Sequence, residues 1–306
     1  MALPVYASPL ERVWHYVYLT LCALIFLFLI APILVVIPLS FNAEPYFTFT
    51  EKMLAFDPQG YSMRWYDMLV TFGMQAPDAP RTSAFWADVW QNATWVKVAK
   101  NSIIVGFFAT LVATTLGTIA ALGLSRPEMP FRRSIMALLI SPMIVPVIIT
   151  ATGLFFFYSR IQIQQWGVPY LGLVLSHATL GIPFVIITVT ATLVGFDRSL
   201  SRAAASLGAS PVRSFFKVTL PIILPGLISG ALFAFVTSFD EVVVVLFLAS
   251  PDEQTIPRQM WNGIREQISP AILAVATILI VVSIGLLTTV ELLRRRSERL
   301  RGLSPG

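Results

Sequence analysis

Six apolar runs, at 16–37, 101–124, 135–158, 171–194, 222–249 and 271–290, alternate with polar connections along the chain. Each is near or above the roughly 20 residues that a helix rising about 1.5 Å per residue needs to cross a hydrocarbon core. Inside a bilayer no water can satisfy peptide groups, so such runs must close their own hydrogen bonds as helices. Strand-like alternation is absent, which sets a β-barrel aside. The pattern therefore predicts an all-α integral membrane protein with six transmembrane helices in one domain over 1–306. Arg12 followed by the first run superficially resembles a signal peptide, but the run is too long for one and reads as an uncleaved span. Pro32, Pro142 and Pro146 are expected to kink their helices, and Gly106, Gly117 and Gly123 to let helices pack closely.

Composition agrees: the chain is 56% hydrophobic and 12% charged, with mean hydropathy +0.77. A net charge of +5 could suggest nucleic acid, but the basic residues sit between apolar runs and form no basic aromatic patch. Their use is orientation. Thirteen of 21 Lys and Arg fall in the N-terminal segment, 125–134, 195–221 and the part after 290, whereas the other connections hold eight, with nine acidic residues. The positive-inside rule then puts both termini in the cytoplasm and the 39–98 loop outside. That loop carries Tyr46, Phe47, Trp65, Tyr66, Trp86, Trp90 and Trp95, which suits an interfacial lid or contact with an outer partner. The basic run 294–301 is expected to stop transfer and to anchor to anionic membrane lipid. Cys22 is the one cysteine, so neither an internal disulfide nor a cysteine metal cluster is available, and no metal site is expected.

Between the fourth and fifth runs, 196–226 reads FDRSLSRAAASLGASPVRSFFKVTLPIILPG. Asp197 or Ser199 can cap a short helix that Gly208 ends; Ser210 can cap a second, with Pro211 at its first position. A helix–turn–helix on the cytoplasmic face follows. Ala203, Ala204 and Gly208 would let another protein approach the backbone, and Leu207, Phe215 and Phe216 offer apolar anchors.

This segment resembles the cytoplasmic motif of permeases of binding-protein-dependent ABC importers: Glu-Ala-Ala, three residues, Gly, then about nine residues to Ile-x-Leu-Pro. Ala203 and Ala204 match the alanines, Gly208 the glycine, and Val218, Leu220 and Pro221 the closing element, while Arg202 stands where the pattern has glutamate. The resemblance implies a type I importer permease fold and a coupling helix, with Arg202, Ala203, Ala204, Leu207, Gly208, Ala209, Ser210, Pro211, Phe215, Phe216 and Pro221 as its contact residues. It further implies two copies of a cytoplasmic ABC ATPase carrying ATP and Mg, a second homologous permease forming a heterodimer, and a periplasmic substrate-binding protein. The permease itself would be non-catalytic and bind no cofactor; it has no GxxxxGK[ST]. Ser238–Glu241, 256–270, 62–69 and Asn101-Ser102 resemble the spermidine/putrescine type, which implies uptake of a polyamine or a related small amino compound by alternating access.

Asp240 and Glu241 fall inside the fifth run, where an ionised side chain costs about 2.5–3.5 kcal/mol unless it faces a wet cavity or a partner. They are candidate pathway groups for a cationic solute, or alternatively inter-helix or inter-subunit contacts. His177 sits well inside the fourth run, with Pro183 after it, and reads as a packing histidine or a pathway group. The competing reading is an ion-coupled secondary transporter using these three residues as a relay. Six spans without an inverted repeat speak against it.

Overall fold

The computed structural model describes residues 8–126, 128–197, 199–266 and 269–300, with side chains left undescribed at 266, 286, 287 and 289–300. Fourteen α-helices are assigned among them: α1 (Pro9–Leu39), α2 (Glu51–Leu54), α3 (Arg64–Thr71), α4 (Ser83–Asn92), α5 (Thr94–Leu124), α6 (Arg132–Ile144), α7 (Val147–Arg160), α8 (Leu171–Val194), α9 (Ser199–Ser206), α10 (Pro211–Ser214), α11 (Leu220–Phe239), α12 (Val243–Leu248), α13 (Ile256–Glu266) and α14 (Ala271–Leu300). Thr94–Asn262 forms one compact unit, and the residues before and after it form another.

In the second of these, α14 packs against α1 and α3. α1 starts well before the apolar run because Ser8 and Glu11 close a capping box with Pro9 at the first position. It is apolar on all sides and, of its residues, only Leu39 is buried, as lipid-facing or partner-facing helices are. The segment that follows is fastened by Asn42. Its Nδ2 donates to the Tyr46 and Thr48 carbonyls at 3.0 and 3.1 Å, its Oδ1 accepts from the Glu44 N–H at 2.9 Å, and its carbonyl accepts from Trp65 Nε1 at 2.8 Å. The aromatic residues expected there divide in use. Trp65 is buried and Tyr66 shares a hydrogen bond with Ser40, whereas Trp86 and Trp90 stay exposed. Side chains of the basic run 294–301 lie outside the described residues.

The Thr94–Asn262 unit is built on α5, α8 and α11, with a core of small residues such as Ala109, Ala113, Ala178, Val185 and Ala234. A second cluster joins α5, α7, α8 and α12 through Val105, Ala151, Leu173, Leu180, Val244 and Val245. α8 coincides with the expected fourth span. Two others need correction. The third apolar run is α6 and α7, bent by 101° rather than kinked. Pro146 has no N–H to continue the ladder and drives Val145 into an extended conformation (ψ 134°), while Pro142 sits within α6 without ending it. The fifth run is also broken: α11 ends at Phe239, and α12 begins only at Val243. Four helices are continuous, long and apolar enough to cross a membrane, and five spans result if the bent pair is counted as one; the apolar part of α14, Ala271–Gly285, is shorter.

α8 and α11 meet along an antiparallel seam. On α11, Gly226, Gly230, Ala234 and Ser238 recur every four residues and so share one face. A Cβ at Gly226 would meet Thr192 and stand 2.9 Å from the Thr188 carbonyl; one at Gly230 would meet Thr188 and stand 2.9 Å from Val185 Cα. Farther along, Gly181 of α8 abuts Ala234. The expected stripe on α5 is partly corrected: Gly106 faces Phe235 and Gly117 faces Val185, but among the described residues nothing lies within 4 Å of a Cβ at Gly123. Because Val185 Cα belongs to backbone and cannot rotate aside, Gly230→Val is expected to cost at least the 1–3 kcal/mol typical of overpacking. Thermal denaturation of the purified complex should therefore show a lowered midpoint, whereas Gly123→Val should leave it nearly unchanged.

Candidate functional site

The segment joining α8 to α11 has the expected helix–turn–helix form. Asp197 opens it: its Oδ1 accepts from the Ser199 N–H at 2.8 Å, and its Oδ2 accepts from the Ser199 hydroxyl. Those two bonds, the hydroxyl first, hold the exposed carboxyl below the usual aspartate range. At the other end of α9, the Gly208 N–H donates to the Ala205 carbonyl at 2.9 Å and the Ala209 N–H to the Ala204 carbonyl at 3.0 Å. This pairing is a Schellman motif, and it needs Gly208 at φ +83°. Two residues later the Ser210 hydroxyl accepts from the Arg213 N–H at 3.3 Å, with Pro211 opening α10.

The turn stands proud. Leu207 is 89% exposed, no described atom beyond its chain neighbours lies within 4 Å of where a Cβ at Gly208 would be, and Arg202 and Ala203 are exposed while Ala204 and Ala209 are half-buried. The two phenylalanines separate: Phe216 is 60% exposed, whereas Phe215 packs against the α5–α8–α11 core. Residues 215–219 form a single π-helical turn leading to Pro221, which is exposed in the first turn of α11. The widened turn suits Pro221, whose ring would crowd the carbonyl four residues earlier and which offers it no N–H. Behind the turn runs a groove of about 970 Å³ lined by Arg126, Glu128, Ser201, Arg202, Phe215 and Phe216 among others.

Asp240 and Glu241, expected within a continuous helix, lie instead where the helix stops. Asp240 is the C-cap of α11; it is exposed, and none of the side-chain hydrogen bonds described here involves it. Glu241 is half-buried and turned onto backbone: its Oε1 accepts from the Val243 and Val244 N–H groups at 2.6 and 3.0 Å, capping α12. Carboxylates followed by four valines favour this break, since acidic side chains compete for backbone donors and β-branched residues gain little from a helix. The neighbours thus differ in role. His177 of α8 is 1% exposed; its Nδ1 is 2.8 Å from Ser238 Oγ, while Nε2 has no partner among the described residues.

Sequence reasoning passed over a polar knot. The Asn101 Nδ2 donates to the Asp252 and Gln254 carbonyls at 2.7 and 2.9 Å, and the Tyr170 hydroxyl donates to Asn101 Oδ1 at 2.8 Å. Tyr170 itself has φ +59°, and its N–H donates to Glu253 Oε1 at 2.9 Å. Burial first, then Glu253 and Asp252, push the phenol above its ordinary value of 10, so it remains a donor. The Ser102 hydroxyl accepts from the Ile256 N–H at 2.8 Å. Together these bonds fasten the stretch 252–256 to α5 and the start of α8. Asn101 and Ser102 were visible only as a resemblance, and Tyr170 and Glu253 gave no signal at all. Among the described residues no cluster of three or more His, Cys, Asp or Glu could hold a metal ion.

Known proteins resemble this chain over most of its length. Residues 113–299 match the family described as binding-protein-dependent transport system inner membrane component. The spermidine/putrescine transport system permease protein PotC of Haemophilus influenzae is 29% identical over 276 residues, spanning 90% of this chain and 95% of that protein. The putrescine transport system permease protein PotI of Escherichia coli K12 is 31% identical over 309 residues, spanning 98% and 97%. In fold, the chain resembles a chain of a bacterial ABC transporter involved in the import of the acidic polysaccharide alginate, known from a crystal structure. The TM-score is 0.66 with 16% identity, over 94% of this chain and 99% of that one.

Proposed function

Because the chain belongs to the family of binding-protein-dependent transport system inner membrane components, we propose that it forms half of the translocation path of an ATP-driven polyamine importer. The turn at Leu207–Gly208 is the coupling element, seated in a cytoplasmic ABC ATPase. Two such ATPases carry ATP and Mg, a second homologous permease completes the path as a heterodimer, and a periplasmic protein delivers the solute. All six apolar runs are engaged with the membrane, and both termini lie in the cytoplasm. The Schellman-ended turn between α8 and α11 carries this reading. It offers backbone and one apolar side chain to a partner, on the segment that links two closely packed spans.

The solute class rests on two supports. PotC and PotI are named for spermidine and putrescine, and Asp240 places an exposed carboxylate at the C-terminal, electronegative end of α11. An ammonium group leaving water regains there part of the interaction it gives up. Glu241, already occupied by backbone, and His177, already bonded to Ser238, are not direct solute contacts.

Uptake of labelled spermidine, putrescine and 4-aminobutyrate by proteoliposomes tests the proposal, with the complete complex in the membrane, binding protein outside and ATP inside. ATP-dependent uptake of a polyamine is the expected result. Uptake that persists without ATP and collapses with the ion gradient would restore the ion-coupled alternative. Selective uptake of 4-aminobutyrate would keep the importer but move the solute class.

A further inference from the structure

The coupling segment has two exits, α8 and α11, and the seam between them has rungs along its whole length. Thr192 meets Gly226, Thr188 and Val185 meet Gly230, Gly181 meets Ala234, and His177 meets Ser238. From Gly226 to Ser238 these rungs span about 18 Å at the helical rise. Threonine side chains seated against glycine backbone leave little room for sliding, because closely packed interiors switch between discrete arrangements and do not shear smoothly. The last rung differs in kind: it is a hydrogen bond between two buried side chains, and Ser238 is the penultimate residue of α11, two before Asp240.

With Nε2 unpartnered, the Ser238 bond is the single polar restraint on the His177 ring among the described residues. It acts at the point where α11 gives way to the Asp240–Val242 break. Any buried imidazole gains from a hydrogen-bond partner, so the bond by itself would mark no more than packing. What distinguishes this bond is the place of its partner, one residue before α11 ends at Phe239.

We propose that His177 is a positioning residue for transport: through Ser238 it fixes the end of α11 and the Asp240 carboxylate, while the seam makes α8 and α11 one lever. Displacement of the Leu207–Gly208 turn then reaches Asp240 without loss. This inference rests on the assignment of the turn and of Asp240 given above.

The test uses the complete complex in proteoliposomes with His177→Ala, His177→Asn, Ser238→Ala and the double variant His177→Ala/Ser238→Ala. Asparagine's amide reaches the place of the imidazole Nδ1 and can keep the bond. His177→Ala is expected to raise the half-saturating solute concentration about tenfold while ATP hydrolysis stimulated by binding protein changes less than about twofold. His177→Asn should recover most of the loss. The double variant should be little worse than either single one, since both remove one interaction. Additive losses, or an asparagine variant no better than alanine, would overturn the proposal. So would parallel loss of uptake, ATPase activity and thermal stability.

A second readout does not depend on the solute. In a Cys22→Ser background, Val242→Cys reports the accessibility of the break to a thiol reagent, with and without ATP and vanadate. His177→Ala should change the labelling rate by about threefold or more and blunt its nucleotide dependence, and His177→Asn should restore both. Unchanged labelling would dismiss the lever even if polyamine uptake is established. Altered labelling with no polyamine uptake would keep the lever and reject the solute assignment.

Discussion

Gly208→Val is expected to abolish ATP-driven uptake in a complex that still assembles and reaches the membrane. Among the described residues, nothing beyond its chain neighbours lies within 4 Å of a Cβ at this position, so the substituent meets no described internal neighbour. Two costs remain. One is conformational: φ is +83°, and an L-residue in the left-handed region costs roughly 1–2 kcal/mol, more when β-branched. The other is external, because the side chain projects from an exposed turn beside Leu207 into the space a docked ATPase would fill. Asparagine separates them, as it tolerates the left-handed region yet carries comparable bulk. If docking is close, Gly208→Asn should lose uptake and binding-protein stimulation of ATPase nearly as fully as Gly208→Val, with Gly208→Ala intermediate. Uptake preserved in the asparagine variant would make the glycine a matter of backbone shape alone and remove the coupling role from this turn.

Why this turn was readable from sequence, and other features were not, is a matter of range. Gly208, Ser210 and Pro211 act on backbone within four residues of themselves, so their chemistry names a structure locally. α8 was equally legible, since one unbroken apolar run, 171–194, is the helix from end to end. The break after Phe239 was not. Hydropathy continues through the valines at 242–245, and only the three-dimensional path reveals that Glu241 has taken the N–H groups of Val243 and Val244. Pro146 announced a kink, but the size of the bend depends on where α7 packs, which is against α12, far along the chain.

Long-range polar pairs were the least legible. His177 and Ser238 are separated by 61 residues, and Asn101 reaches across 151 to the Asp252 carbonyl. The four-residue spacing of Gly226, Gly230, Ala234 and Ser238 is present in the sequence, and so are the glycines of α5, yet among the described residues nothing lies within 4 Å of a Cβ at Gly123. Small residues mark a helix face that can pack closely, not the helix it packs on. That choice belongs to the tertiary structure.

The second large effect is expected at Asp240. Its side chain is exposed at the end of α11 and takes part in none of the hydrogen bonds described here, so Asp240→Asn removes a charge while leaving the backbone cap intact. A unit charge about 4 Å away is worth about 1 kcal/mol in water and about 4 kcal/mol at an effective dielectric of 20. A solute ammonium passing at that range should therefore be taken up about tenfold or more slowly, with complex yield and thermal stability unchanged. Glu241 supplies the contrast. Glu241→Gln keeps an acceptor oxygen for Val243 and Val244 and should alter uptake little, whereas Glu241→Ala should cost about 1 kcal/mol of local stability as a lost helix cap. Measuring spermidine uptake and melting midpoint for the three variants separates pathway from scaffold. A charge effect at Glu241 larger than at Asp240 would exchange the two roles, because it would mean that the half-buried carboxylate leaves its backbone partners to meet the solute.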